Sequence, residues 1–254
     1  MAKDLFLHRR RFLKGLASAG TATSLGLAGI SPARAMSLRL STEGADCSTV
    51  IDVDRCTGCG ACVTACRARN LARLPLPQKP IPQPRPSWIA INDWSTRRQV
   101  DNRLTPYNWI YIQTCTLPTA EGERRVFMPR RCLHCLNPQC VSLCPSGAAR
   151  QSPQGAAYIE ESSCLGDGPC QRACPWLIPQ RQSGVGPYLK IAPRYIGYGL
   201  VFKCDYCREL LAQGQIPACV AACPTSAQSF GPRDDMVALA QEMAHQRIGE
   251  IDGL

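Results

Sequence analysis

Cysteine is the residue type through which this chain can do chemistry: 17 occur among 254 residues, against three histidines. Fifteen of them fall into four groups of related spacing. The first is Cys56-x2-Cys59-x2-Cys62-x3-Cys66, and the second is Cys132-x2-Cys135-x4-Cys140-x3-Cys144-Pro145. The third is Cys164-x2-Asp167-x2-Cys170-x3-Cys174-Pro175, and the fourth is Cys204-x2-Cys207-x11-Cys219-x3-Cys223-Pro224. Three thiolates on a tight loop can reach three irons of one 4Fe-4S cube. A fourth cysteine three residues on enters a helix, faces away and ligates the other cluster of a pair. The chemistry expected is therefore electron transfer through about four iron–sulfur clusters.

Other uses of cysteine fit this pattern less well. A zinc site made of two C-x2-C pairs suits the fourth group loosely but leaves the third cysteine of Cys56-Cys59-Cys62 without a role. Disulfides suit an exported chain, yet cysteines three residues apart on one tight loop pair poorly, and no disulfide scheme explains four similar groups. Thioredoxin-like chemistry needs one exposed C-x-x-C at a helix start, not four tandem groups. Cys47 and Cys115 lie outside the groups, on segments that read as strand, and are expected to be buried thiols. His134, between Cys132 and Cys135, is placed either to hydrogen-bond a cluster sulfur or to pack the loop.

The elements that must position these loops are short. β-prone stretches precede each group: Val50-Ile51-Asp52-Val53, Val126-Phe127-Met128, Tyr158-Ile159-Glu160 and Leu200-Val201-Phe202. The repeated unit reads strand, ligand loop, short helix. Residues 75–86 alternate proline with other residues as a polyproline-like linker or surface strap, and Trp88 to Leu117 alternates as strands of a small inserted sheet would. Trp176 to Leu200 is rich in glycine and tyrosine, a stretch suited to docking a partner or to covering clusters. From Asp234 to Ile248, apolar residues at 236, 239, 240, 243 and 244 predict an amphipathic C-terminal helix packed on its own domain.

The first 35 residues read as a targeting segment. Arg9, Arg10 and Arg11 are followed by Phe12-Leu13-Lys14, then by a weakly apolar run to Ile30 that is short for a membrane span. Ser31-Pro32-Ala33-Arg34-Ala35 ends in an A-x-A cleavage site, and the whole resembles a twin-arginine signal. An uncleaved basic anchor helix is the alternative. The leader carries half of the net charge of +10. The remaining basic excess is largely neutralised by the thiolates of the expected clusters, and no basic stripe with interleaved aromatics points to nucleic acid. Export after folding agrees with clusters assembled before the thiols meet an oxidising compartment.

The order of the four groups over roughly Val50 to Gly231, including x4 in the second and x11 in the fourth, resembles the four-cluster iron–sulfur subunits of the dimethyl sulfoxide reductase superfamily. The resemblance implies an α+β fold of two fused bacterial dicluster-ferredoxin-like modules, with a small inserted β-rich segment and loop-rich connections. It implies a signal over 1–35, a first half-module with its insert over 36–131, an inner dicluster module over 132–175, a closing segment over 176–231 and a C-terminal helix over 232–254. It also implies how ligands combine. Cys56, Cys59 and Cys62 share a cluster with Cys223; Cys204, Cys207 and Cys219 share one with Cys66. Cys132, Cys135 and Cys140 combine with Cys174, leaving Cys164, Asp167 and Cys170 with Cys144.

Asp167 departs from that pattern, because it stands where the second cysteine of the third group belongs and a carboxylate is a harder ligand for iron than a thiolate. The cofactor expectation is three 4Fe-4S clusters plus a fourth of open type: a 3Fe-4S cluster with Asp167 unligated, or a labile 4Fe-4S cluster with Asp167 or water on the fourth iron. An empty site would leave Cys164 and Cys170 as free thiols in an oxidising compartment. The partners implied are a catalytic redox subunit, of molybdopterin type in many relatives, and an integral-membrane quinone-interacting subunit, with no membrane span of its own in the mature chain. The expected function is periplasmic electron relay. The alternatives are a redox enzyme acting at the Asp167 cluster and a free periplasmic ferredoxin.

Overall fold

A chain that closes loops around metal clusters needs fixed loop ends more than it needs long elements. A computed structural model describes residues 46–119 and 122–252, all within the unit formed by residues 39–254; the leader expected over 1–35 lies outside the described residues. Among these residues, eight strands pair into four separate two-stranded antiparallel sheets. β1 (Cys47–Ile51) pairs with β8 (Gln228–Pro232), β2 (Tyr111–Thr119) with β3 (Gly122–Arg130), β4 (Ala149–Gln151) with β5 (Ala157–Ile159), and β6 (Gln180–Gln182) with β7 (Leu200–Phe202). The β1–β8 pair has the widest consequence. By setting Cys47 opposite Pro232 and Ile51 opposite Gln228, it brings the start of the described chain to its far end.

The strand–loop–helix unit recurs four times. α1 (Ala61–Arg69) follows the first ligand loop, α2 (Gln139–Ser142) the second and α3 (Pro169–Arg172) the third. α4 (Tyr188–Ile191) lies in the glycine-rich stretch, while α5 (Arg208–Ala212) and α6 (Ala218–Ala221) serve the fourth loop. Helices of four or five residues are not stable alone. One detail differs from the expectation that each fourth cysteine enters a helix. Cys66 does lie within α1, but Cys144, Cys174 and Cys223 each fall two residues past the end of α2, α3 and α6. The cause is the proline after each of the three: the residue before proline is disfavoured in the helical region, so the helix stops first. Arg67 follows Cys66, and there the helix continues.

The insert is also reorganised. Among residues 88–110 there is no strand, and the only strand of the expected sheet, β2, pairs with the segment that leads into the second ligand loop. Residues 88–110 are instead tied by specific bonds: the Asn108 side chain donates to the Asp101 and Arg103 carbonyls, at 3.2 and 3.0 Å, and the Trp109 indole to the Pro106 carbonyl at 2.9 Å. The proline-rich strap runs against the glycine-rich stretch, with Gln78 N donating to Gly184 O at 2.8 Å and Arg85 N to Arg194 O at 2.7 Å. α7 (Arg233–Asp252) packs on β1 and β8 through the half-buried Met236, Leu239 and Met243. No helix among the described residues is long and apolar enough to cross a membrane.

The buried core contains many of the cysteines themselves. Cys62, Cys66, Cys164, Cys170, Cys204 and Cys219 cluster with Trp109, Ile110, Val201, Phe202 and Leu211. Arg73, at the end of a 3₁₀ turn after α1, joins three parts of this core. It pairs with Asp205 at 2.6 Å and with Glu161 at 3.2 Å, and its guanidinium stands 5.2 Å from the Trp109 ring. Burial opposes its charge, but the two carboxylates hold its pKa above the ordinary arginine value. Asp205 in turn accepts from Cys207 N at 2.9 Å, so the ion pair fixes the fourth ligand loop.

Two substitutions test this packing. Gly197 has φ +72°, and a Cβ there would lie 1.5 Å from the Leu165 carbonyl oxygen, whereas Gly147 has φ +63° with open space around it. Both positions carry the strain of a left-handed residue, so Gly197→Ala should lose about 2 kcal/mol more than Gly147→Ala, read from thermal unfolding of the purified proteins. Arg73→Met should lose about 3 kcal/mol by leaving Asp205 buried and unpaired, and Arg73→Lys should recover part of it.

Candidate metal centres

The β1–β8 pair gives the first and fourth cysteine groups a common neighbourhood. Cys56, Cys59 and Cys62 line one cavity together with Cys223, closed by Ile112 and Pro129. Cys204, Cys207 and Cys219 line a second with Cys66, closed by Trp109, Ile110 and Arg131. These thiols feel one another. The Cys62 pKa is pushed up to about 11, first by burial and then by Cys219, with smaller contributions from Cys56 and Cys59. Cys66 is pushed up to about 12 by burial, then by Cys219 and Cys207.

The second and third groups meet in the same way, with the β4–β5 hairpin between them in sequence. Burial raises the Cys140 pKa, Lys203 lowers it, and Cys132, Cys174 and Cys135 raise it further, which puts these four cysteines in one neighbourhood. Cys170 is pushed up to about 12 by burial and then by Cys164, Cys144 and Cys140. Cys164 is raised by burial and by Cys144 and Asp167, while the N–H groups of Val201 and Gly166 lower it. Asp167, half-buried, therefore stands beside Cys164. Among the described residues, no three His, Cys, Asp or Glu side chains converge as they would around a single metal ion.

The four neighbourhoods adjoin in series. Cys62 and Cys219 are neighbours across the first and second, Cys204 and Cys132 across the second and third, and Cys140 and Cys170 across the third and fourth. Their sulfurs also receive hydrogen bonds. Ala227 N donates to Cys223 Sγ at 3.2 Å, and Ala149 N to Cys144 Sγ at 3.3 Å. These N–H groups and the nearby Thr225 and Ser146 hydroxyls outweigh burial and bring both thiols below the ordinary value. Asn70 Nδ2 lies 3.6 Å from Cys66 Sγ, Arg131 Nη1 3.3 Å from Cys219 Sγ and Lys203 Nζ 3.4 Å from Cys132 Sγ. Soft sulfur donors, buried in sets and supplied with N–H donors to sulfur, fit iron–sulfur clusters.

Arg131 and Lys203 are not of a ligand type, although each occupies the position just before the first cysteine of its group. The His134 ring stacks on Tyr206 with centroids 4.2 Å apart and so packs its loop, while both ring nitrogens are buried with no hydrogen-bond partner among the described residues. Burial, with Lys203 and Arg131 close by, holds its pKa well below the ordinary histidine range. Cys47 is buried in β1, as its strand position suggests. Cys115 is exposed, which corrects the expectation of a buried thiol: the outer half of the β2–β3 hairpin has both faces in solvent, so alternation there does not mark a buried face.

Comparison with known proteins agrees with this chemistry. Two profiles, each described as a 4Fe-4S dicluster domain, match residues 55–148 and 124–233. The hydrogenase-2 operon protein HybA of Escherichia coli O157:H7 is 30% identical over 93% of this chain and 66% of its own length. The iron-sulfur subunit of the nitrate-inducible formate dehydrogenase of Escherichia coli K12 is 28% identical over 82% of this chain and 60% of its own. The thiosulfate reductase electron transfer subunit PhsB of Salmonella typhi is 30% identical over 72% of this chain and 74% of its own. The chain thus spans two thirds or less of the length of the first two. With dicluster profiles covering all four thiol neighbourhoods and relatives of this kind, the chain belongs to the family of ferredoxin-like iron–sulfur electron-transfer proteins.

Proposed function

We propose that this protein is an exported electron-transfer subunit, and that it relays electrons along its four thiol neighbourhoods between a membrane quinone-reactive subunit and a catalytic redox subunit. The observation that carries the reading is their serial arrangement, with one pair of neighbouring cysteines at each junction. The clusters are held by Cys56, Cys59, Cys62 and Cys223; by Cys66, Cys204, Cys207 and Cys219; by Cys132, Cys135, Cys140 and Cys174; and by Cys144, Cys164 and Cys170 with Asp167 beside them. Bound iron–sulfur clusters supply one-electron chemistry at tuned potentials.

The chain's own residues do the rest. Trp109, Ile110 and Phe202 enclose the middle of the series in apolar side chains. N–H donors from Ala149, Ala227, Asn70, Arg131 and Lys203 steady the sulfurs. Cys59 and Cys135 are exposed, giving the first and third neighbourhoods edges that a partner can approach. Export by the twin-arginine route, a periplasmic location and attachment to the membrane through a partner complete the proposal. The named roles of the relatives, as iron-sulfur or electron transfer subunits, support a relay rather than substrate chemistry.

The test is iron and sulfide analysis with low-temperature electron paramagnetic resonance on anaerobically purified protein, before and after dithionite. About 15 or 16 irons per chain, with coupled 4Fe-4S signals on reduction, are expected. An oxidised 3Fe-4S signal that disappears in Asp167→Cys would assign the unusual cluster to the fourth neighbourhood. Little iron, with zinc or disulfides in its place, would overturn the reading.

A further inference from the structure

Two cations are buried at the junction of the second and third neighbourhoods. Arg131 is 6% exposed and Lys203 5%. Among the described residues neither forms an ion pair with a carboxylate. Taking a charge out of water costs several kcal/mol unless something negative answers it, and what lies next to each is sulfur.

The contacts are crossed. Arg131 immediately precedes Cys132, the first cysteine of the second group, yet its Nη1 donates to Cys219 Sγ at 3.3 Å, in the neighbourhood of Cys66, Cys204 and Cys207. Lys203 immediately precedes Cys204, the first cysteine of the fourth group, yet its Nζ donates to Cys132 Sγ at 3.4 Å, in the neighbourhood of Cys135, Cys140 and Cys174. Each is held in place by neutral partners. Arg131 Nη2 donates to Thr49 Oγ1 at 2.8 Å, and its guanidinium stands 5.3 Å from the Tyr206 ring. Lys203 donates to Cys204 O at 2.9 Å and to Ala157 O. The His134–Tyr206 stack joins the same two loops, with Tyr206 lying between Cys204 and Cys207.

We propose that Arg131 and Lys203 are a crossed pair of positioning residues that raise the reduction potentials of the two middle clusters, Arg131 for the one on Cys66, Cys204, Cys207 and Cys219, and Lys203 for the one on Cys132, Cys135, Cys140 and Cys174. The inference rests on the cluster reading above. Neutral partners alone, a hydroxyl and two carbonyls, do not call for buried charged donors; thiolates do. Reduction adds one electron and hence one negative charge to a cluster, and a fixed cation with an N–H on sulfur favours the reduced form. The electron comes from the adjacent cluster, which is oxidised by one electron, and neither cation gains or loses a proton. Because each cation is borne by the other cluster's loop, the two middle potentials move together whenever those loops shift.

Redox titration followed by electron paramagnetic resonance, on the full chain with its clusters, reads this directly. Arg131→Gln and Lys203→Gln should each lower the midpoint of one cluster, and of a different one. The expected loss is about tenfold in the one-electron reduction constant, equivalent to about 59 mV. Arg131→Lys and Lys203→Arg should restore most of it, which a merely structural role would not. Unchanged midpoints, or both Gln variants moving the same cluster, with iron content intact, would overturn the proposal and leave the clusters standing. Absence of iron from the unaltered protein would overturn both. Should the Gln variants lose their clusters, unaltered protein labelled with 15N at lysine Nζ or the arginine guanidinium keeps the question open to decision. Pulsed resonance of the reduced clusters should show coupling to one nitrogen of each kind, and its absence would overturn the proposal.

Discussion

The crowding of sulfur is the constraint on which the rest of this structure depends. Thiols drawn from positions as far apart as Cys62 and Cys219 are packed within each other's field and away from water, and the result is visible in Cys66 and Cys170, both pushed up to about 12. As bare thiols they would stay protonated, and as bare thiolates they would repel one another. A positive core among them makes the thiolate form favourable, and an iron–sulfur cluster supplies that charge to its thiolates at once. Cys144 and Cys223 lie at the other limit, with peptide N–H groups already lowering their pKa. The sets therefore differ in the hydrogen bonds their sulfurs receive, which gives the protein a way to make similar clusters unequal.

The remainder of the fold can be understood as a holder for those sets. Two-stranded sheets and one-turn helices contribute little stability by themselves. What they provide is direction: a strand delivers each loop, a short helix carries the next cysteine away, and proline ends the helix so that the last cysteine turns to the other group. The long connections then close over the clusters. Gly197 and Gly199 press their backbone against Leu165, Gly166 and Gln182 so closely that no side chain fits, so this part of the glycine-rich stretch covers the third ligand loop. The proline-rich strap is bonded to the same stretch through Gln78 and Arg85.

Much of this is legible in the sequence because it is local. Leu200-Val201-Phe202 is a strand with those bounds, and the strand–loop–helix repeat follows from the spacing of the cysteines and their flanking residues. What sequence does not convey is the partner of each local piece. The alternation over 88–117 resembles strand, yet only its last part finds a partner, in β3, and the rest is held by side-chain bonds that have no period. Cys115 sits on a strand as expected, but on a hairpin without a covering layer, so its thiol faces water. Arg131 and Lys203 show the same limit: their place before a cysteine is local, while the sulfur each one reaches belongs to a group about seventy to ninety residues away.

Asp167 then takes its meaning from position. It belongs to the neighbourhood at one end of the series, where it is not required to connect two others. Its loop is also held independently of any iron bond from its carboxylate. Arg172 donates to the Asp167 carbonyl at 3.3 Å, Arg181 donates to the Gly166 carbonyl at 3.1 Å, and Gly197 and Gly199 pack their backbone against Leu165 and Gly166. The backbone of the loop is thus held by bonds that do not involve the side chain at 167. The exchange of a thiolate for a carboxylate falls on the neighbourhood at one end of the series, whereas Cys204 and Cys140 each lie beside a second neighbourhood, through Cys132 and Cys170.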